Sequence, residues 1–313
     1  NSAGNIPLTI NQALDMFIEP GYIIIISYIK YFGINNLGVF AIHAILSIYF
    51  LNKAILKYSN NIYISWLIIF GVYFVNLYFN GLRQGLFIAI LFYYLPIFLA
   101  RKGFKNFAHL LLLSLFLFFA LHKTAILFPV IYIISLFNPL IKTKIYIFFA
   151  FLIWAFSGVG EILISGIPYI KDIAYLGIID FYTNHENFSA SVNLLSITVL
   201  HRLVILIAAL YFSEFKGAGL LFKKLTNIYF WGIIIYLFCI PLGYMLATRI
   251  NMNFKIFDVI LISYFVLFFK TKTDKLLFLS IIIIWSLFSM LTNFYMPGNY
   301  DYYLPYRTIL ELK

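Results

Sequence analysis

The few residues of this chain that could do chemistry stand where they are costly. Asn80-Gly-Leu-Arg83-Gln84-Gly-Leu-Phe and Leu121-His122-Lys123-Thr124-Ala125 each place a cationic or titratable side chain inside apolar sequence long enough to cross a bilayer. A charge in lipid is expensive, so such residues face a bundle interior or water and mark function by default. The planar fork of Arg83 suits phosphate oxygens. Its place at a helix start adds free N–H groups and a positive dipole end, and Asn80 and Gln84 make that start a polar cluster. The plainer alternative is an interfacial anchor that snorkels outward. His122, with Lys123 and Thr124 beside it, suits binding of a hydroxyl or general base catalysis, against the alternative of a satisfied histidine in a turn.

Other candidates are more scattered. His201-Arg202 lies about two turns inside a span, and Arg249 opens another in Ala247-Thr-Arg-Ile-Asn-Met-Asn. Asp258 is expected to pair with a neighbouring cation. His185-Glu186 falls in Asp180-Phe-Tyr-Thr-Asn-His-Glu-Asn-Phe, an aromatic and polar loop of the kind that suits carbohydrate. His43 and His109 read as structural. Cys239 is the one cysteine, which excludes a disulfide framework or a cysteine metal site. There is no zincin His/Glu spacing, nucleotide-binding glycine loop or nucleophile elbow.

The elements that must position these residues are membrane helices. A chain that is 64% hydrophobic, 21% aromatic and 11% charged is not an ordinary soluble globule. Runs such as 110–121 and 228–247 fit a hydrocarbon layer about 30 Å thick. The expected fold is all-α and polytopic, a single transmembrane domain over 1–313. Its ten spans are expected near 37–56, 62–79, 82–100, 107–121, 124–141, 145–164, 194–213, 227–247, 252–269 and 276–292. Residues 1–36 form an outer segment with a short interfacial or re-entrant helix, and 165–193 a long external loop. The start on Asn1 rather than Met suggests that the native beginning is absent.

Charge then orients the chain. If Lys53 and Lys57 are cytoplasmic, strict alternation places 13 of the 22 basic residues in short inner loops, with only Glu214 and Asp274 of the 11 acidic residues. That pattern follows the positive-inside rule. It also explains the net charge of +11 through topology rather than nucleic-acid binding. Four of the five arginines (Arg83, Arg202, Arg249, Arg307) fall outside, whereas 12 of the 17 lysines fall inside. Lysine sets topology, and the external arginines, three of them at or just within the outer ends of spans, point to a cavity that opens outward.

With those residues in view, the chain resembles the EpsG family, the Wzy-type polymerases of bacterial surface polysaccharide. The resemblance rests on Glu19-Pro-Gly-Tyr22, Asn80-Gly-Leu-Arg83-Gln-Gly-Leu, His122 with the small residues after it, Thr248-Arg249-Ile and Leu304-Pro-Tyr-Arg307, in that order over nearly the whole chain. It implies a C-type glycosyltransferase architecture, with one further membrane helix upstream. It also implies a reaction on the outer face of the bacterial cytoplasmic membrane, in which a growing glycan leaves undecaprenyl pyrophosphate and joins the sugar of an incoming lipid-linked repeat unit. In that reading Arg83, Arg202 and Arg249 stabilise the departing pyrophosphate. His122 is the first candidate for the base, with His201 and His185 as alternatives. Asn80, Gln84, Lys123, Glu19 and Arg307 join the substrate contacts. The implied partners are the lipid-linked donor and acceptor, the bilayer, and a flippase and chain-length regulator of the same pathway. Energy comes from the donor phosphoester, so no cofactor is expected.

Three other readings stay open. A polyprenyl-monophosphate-sugar transferase would hold a metal through acids of the first outer loop, where Asp15 and Glu19 have a compatible spacing. An O-antigen ligase would pass the glycan to a lipid core. A flippase or transporter would need a cavity open to either side.

Overall fold

The computed structural model of the chain describes residues 19–79, 81–100, 103–160, 197–215 and 217–295. Among the described residues every element is a helix. They belong to two compact units, the first made of residues up to 94 with 111–126 and 262 onward, the second of 95–110 and 127–261.

The first unit opens with α1 (Pro20–Tyr31), where proline takes the first helical position after an extended Glu19; its missing N–H would have had no partner there anyway. Gly33, at φ +77, turns the chain out of α1. Helix α2 (Asn36–Tyr58) starts where the Asn35 side chain accepts from the Gly38 N–H at 3.0 Å. Helix α3 (Ile62–Ile68) is capped alike by Asn61, at 3.1 Å from the Ile64 nitrogen, as expected of asparagine before an apolar run. It continues as a π-helical stretch over Ile69–Phe79. The first part of α4 (Leu82–Ala100), the end of α5 (Phe104–Ala120), a 3-10 turn over Lys123–Ile126 and α12 (Lys272–Tyr295) complete the unit. Helix α12 packs on the π-helical stretch. The Ser286 hydroxyl donates to the Leu67 carbonyl at 2.8 Å, and a side chain on Gly71 would run into Ser286.

The second unit is built around α9 (Leu220–Cys239), which packs against α6 (Leu127–Leu136), α7 (Ile141–Phe156), α8 (Ile197–Ser213) and α10 (Tyr244–Lys255). Lipid tails are as apolar as these side chains, so association of helices in a membrane rests on close packing and hydrogen bonds. Both are visible here. Gly232 lets α9 approach Phe254 of α10, where a Cβ would collide. Asn227 donates to the carbonyls of Ser135 and Phe137, at 3.3 and 2.7 Å, and Trp231 to Phe137 at 3.0 Å. These bonds satisfy acceptors that the end of α6 leaves unpaired.

Four helices are long and apolar enough to cross a membrane: Gly38–Tyr58, Leu82–Ala100, Leu220–Leu242 and Lys272–Tyr295. A further pair of apolar helices counts as a fifth span if its two bent halves are taken as one. The expected segment 252–269 instead divides into Leu246–Lys255 and Asp258–Phe268, bent by 47°. Lys255 closes α10 and Asp258 opens α11 (Asp258–Phe265), so each charge lies at the helix end whose dipole favours it. The segments expected near 62–79, 107–121, 124–141 and 194–213 are apolar helices of 10–17 residues, and 145–164 is covered by α7 as far as Phe156. The chain is therefore a multi-pass membrane protein with four or five full-length spans among the described residues, fewer than the ten expected from hydropathy.

Candidate functional site

The first unit brings together three of the stretches singled out in the sequence, and Glu19 joins them. One carboxylate oxygen pairs with the Arg83 guanidinium. The other accepts the backbone N–H of Lys123 at 3.1 Å. Glu19 is 3% exposed. Expected among the substrate contacts and as a possible metal ligand, it has a protein partner on each carboxylate oxygen.

Arg83 lies in the first turn of α4 and keeps about a third of its side chain accessible, 32% against 4% for Glu19. Its guanidinium carbon stands 5.3 Å from the ring centre of Tyr22, within cation–π range. Burial pushes the Tyr22 hydroxyl above the ordinary phenol value while Arg83 pulls it down, so Tyr22 offers a neutral ring. Its other neighbour is His43, ring to ring at 5.5 Å. The His43 Nδ1 lies 2.9 Å from the Val39 carbonyl, which makes that nitrogen a donor. The site is thus a carboxylate behind, an aromatic ring beside, and a partly accessible guanidinium in front. Gln84, the next residue of α4, is buried.

His122 follows the end of α5. The N–H of Thr124 points at its Nδ1 from 3.2 Å and the Thr124 hydroxyl lies 2.8 Å from the same atom. An Nδ1 that accepts a backbone N–H leaves the proton of the neutral ring on Nε2. The ring stacks on Phe87 of α4 with centroids 6.5 Å apart and 10° between planes. Gly21 holds α1 against this end of α5, since a Cβ there would strike the Phe119 carbonyl. Glu19, Gly21 and Tyr22 of the first stretch therefore grip the second and third. The partners Tyr22 and Thr124 were missed as site residues although they stand beside chosen ones; adjacency was the available signal.

Arg202, His201 and Arg249 belong to the second unit. Arg202 is 2% exposed and its guanidinium carbon is 4.0 Å from the ring centre of Tyr236, whereas Arg249 is exposed. Asn80, His185, Arg307 and Asp15, with the loop 165–193, lie outside the described residues.

No curated protein and no solved structure matches the chain. The family model described as the EpsG family matches residues 8–308, nearly the whole sequence. The chain belongs to the EpsG family, whose members are Wzy-like polymerases.

Proposed function

We propose that the protein polymerises undecaprenyl-pyrophosphate-linked oligosaccharide repeat units into a surface polysaccharide on the outer face of the bacterial cytoplasmic membrane. The observation that carries this reading is the partly accessible Arg83, held by buried Glu19 next to the His122 turn. In the reaction the bond between the donor's anomeric carbon and its phosphate oxygen breaks, a glycosidic bond forms to a hydroxyl of the acceptor sugar, and undecaprenyl pyrophosphate leaves. Negative charge grows on the leaving group, and a preorganised guanidinium stabilises it more than a solvated one because its orientation is fixed beforehand. Glu19 and Tyr22 fix that orientation. They leave the accessible edge of Arg83 for phosphate oxygens.

His122 serves as a donor through Nε2–H rather than as the base, because Nδ1 already accepts from Thr124. It bonds to a phosphate or sugar oxygen. The acceptor hydroxyl then gives its proton to a base other than His122. Arg249 and Lys123 add positive charge at the outer surface, and Asn80, Gln84 and Arg307 contribute to substrate binding. A flippase that delivers the repeat units and a chain-length regulator are partners in this reading.

The direct test reconstitutes the purified chain with lipid-linked repeat units. Growth to products of increasing repeat number, with release of one undecaprenyl pyrophosphate per bond formed, is expected. Transfer only to a different lipid acceptor, or movement of intact lipid-linked glycan without bond formation, would contradict it.

A further inference from the structure

Helices α7 and α8 both pack on α9, and between them runs a groove of about 590 Å³. Ile141 and Ile145 of α7 form one wall, Ile207 and Tyr211 of α8 the other, and Glu214 and Phe215 stand at its mouth. The volume is that of a small-molecule site, about 300–1,000 Å³. Ile145, Ile207 and Tyr211 are exposed along it. The mouth carries charge in a particular order. Ile141 is the first residue of α7 and Glu214 follows the last residue of α8, so a helix N-terminus and a helix C-terminus meet there. Leu140 gives α7 no side-chain cap, so no side chain takes its first N–H groups, and the exposed Lys142 stands in the same turn. Glu214 is exposed and forms no ion pair among the described residues. It interacts electrostatically with Lys144, whose ammonium donates instead to the Asn138 side-chain oxygen at 2.9 Å. Beside Glu214 the rings of Tyr211 and Phe215 pack edge to face, 5.2 Å between centres.

The chemistry of this groove is specific. Its walls suit a hydrocarbon chain. The positive end of α7, with Lys142, favours an anion, and the negative end of α8, with Glu214, favours a cation. A zwitterionic phospholipid joins these three parts in one molecule, with phosphate and ammonium side by side above the tail. The carboxylate of Glu214 accepts strong hydrogen bonds from a primary ammonium. Tyr211 and Phe215 pack on each other and do not form the open aromatic box that suits a quaternary ammonium. We propose that the groove between α7 and α8 holds one phospholipid with a primary ammonium head, of the ethanolamine type. Its tail lies along Ile145 and Ile207, its phosphate at Lys142 and the start of α7, and its ammonium at Glu214. An anionic phospholipid with the same tails lacks the cation and would bring negative charge to Glu214. The site takes a bilayer lipid and not a substrate, so it stands apart from the polymerase reading and from Arg83.

The test titrates the purified, delipidated full chain in detergent with phosphatidylethanolamine, phosphatidylcholine and phosphatidylglycerol of identical acyl chains, and counts retained lipid by native mass spectrometry. One tightly held phosphatidylethanolamine per chain is expected, bound about threefold to tenfold more tightly than phosphatidylglycerol. Glu214→Gln should remove that preference, and Glu214→Lys should reverse it. Both changes fall on an exposed side chain, so the fold is kept. Ile207→Trp, which fills the groove from its exposed wall, should lower retention of all three lipids by about tenfold. A preference for phosphatidylethanolamine that survives both Glu214 variants overturns the site. Phosphatidylcholine held as tightly as phosphatidylethanolamine overturns the primary-ammonium assignment. A parent that retains no lipid and dimerises, with Ile207→Trp monomeric, would make a second copy of the chain the occupant and overturn the lipid. No glycan substrate enters these measurements, so loss of the polymerase reading would leave their outcome unchanged.

Discussion

Glu19 and Arg83 are 64 residues apart in the chain and form an ion pair in which the carboxylate is buried and the guanidinium is partly accessible. That asymmetry separates structure from function in one cluster. The carboxylate is satisfied entirely by the protein; the guanidinium is not. Removing one side of a buried pair costs about 3–5 kcal/mol, reduced here to about 2 kcal/mol because Arg83 is partly solvated. Arg83→Gln is therefore expected to lower the thermal midpoint of the purified protein. Glu19→Gln together with Arg83→Gln should recover most of that loss, because the glutamine still accepts from the Lys123 N–H and no charge is stranded. Losses that simply add in a double-mutant cycle would contradict the pair as the main bond at this site.

Gly21 tests whether α1 docks as described. Gly21→Val places a side chain against the Phe119 carbonyl, and overpacking of this kind costs about 1–3 kcal/mol. The expected result is a lower thermal midpoint with reduced polymerisation. A valine variant with the parent's midpoint and activity would show that α1 does not approach α5 this closely.

His122 discriminates donor from base. Gln places an N–H close to where the ring Nε2 stood, so His122→Gln is expected to keep activity within about tenfold, while His122→Ala should lose about 100-fold, the scale of one oxyanion donor. A base would behave otherwise, since the amide cannot take a proton and both variants would fall by about 100-fold or more. Rates of repeat-unit incorporation in membranes with matched protein levels decide between them.

In the second unit, Asn227→Leu removes the donor that serves the carbonyls at the end of α6. Buried acceptors would be stranded at a cost of about 1–3 kcal/mol, so the variant should unfold at lower temperature. An equal or higher midpoint would mean that those carbonyls are satisfied in another way.

Much of the helical plan was readable in advance because local chemistry writes it. Pro20, Asn35 and Asn61 mark helix starts by capping rules, and each starts a helix. The break in the ninth span was not readable: no proline or glycine lies between Lys255 and Asp258, and the apolar pattern runs through. The charges that flank it were the one hint, and they look the same as an ordinary interhelical pair. Arg83 and His122 stand out in the sequence because charge inside apolar sequence is costly, a signal that needs no structure. Their link through Glu19 depends on contacts between residues far apart, which spacing along one chain does not encode. Tyr229 and Tyr236 stood seven residues apart on α9, on one helical face, but an aromatic pair in a chain so rich in tyrosine and phenylalanine carries no distinction until Arg202 is seen against it.

The central claim is that Arg83 acts on substrate and does not merely balance Glu19. The decisive measurement is the length distribution of surface glycan in cells that carry only the Glu19→Gln, Arg83→Gln double variant, at membrane levels matched to the parent. Single-repeat glycan without a ladder is expected, since the fold is kept and the guanidinium is gone. A normal ladder from the double variant would contradict it and reduce Arg83 to a structural counter-ion.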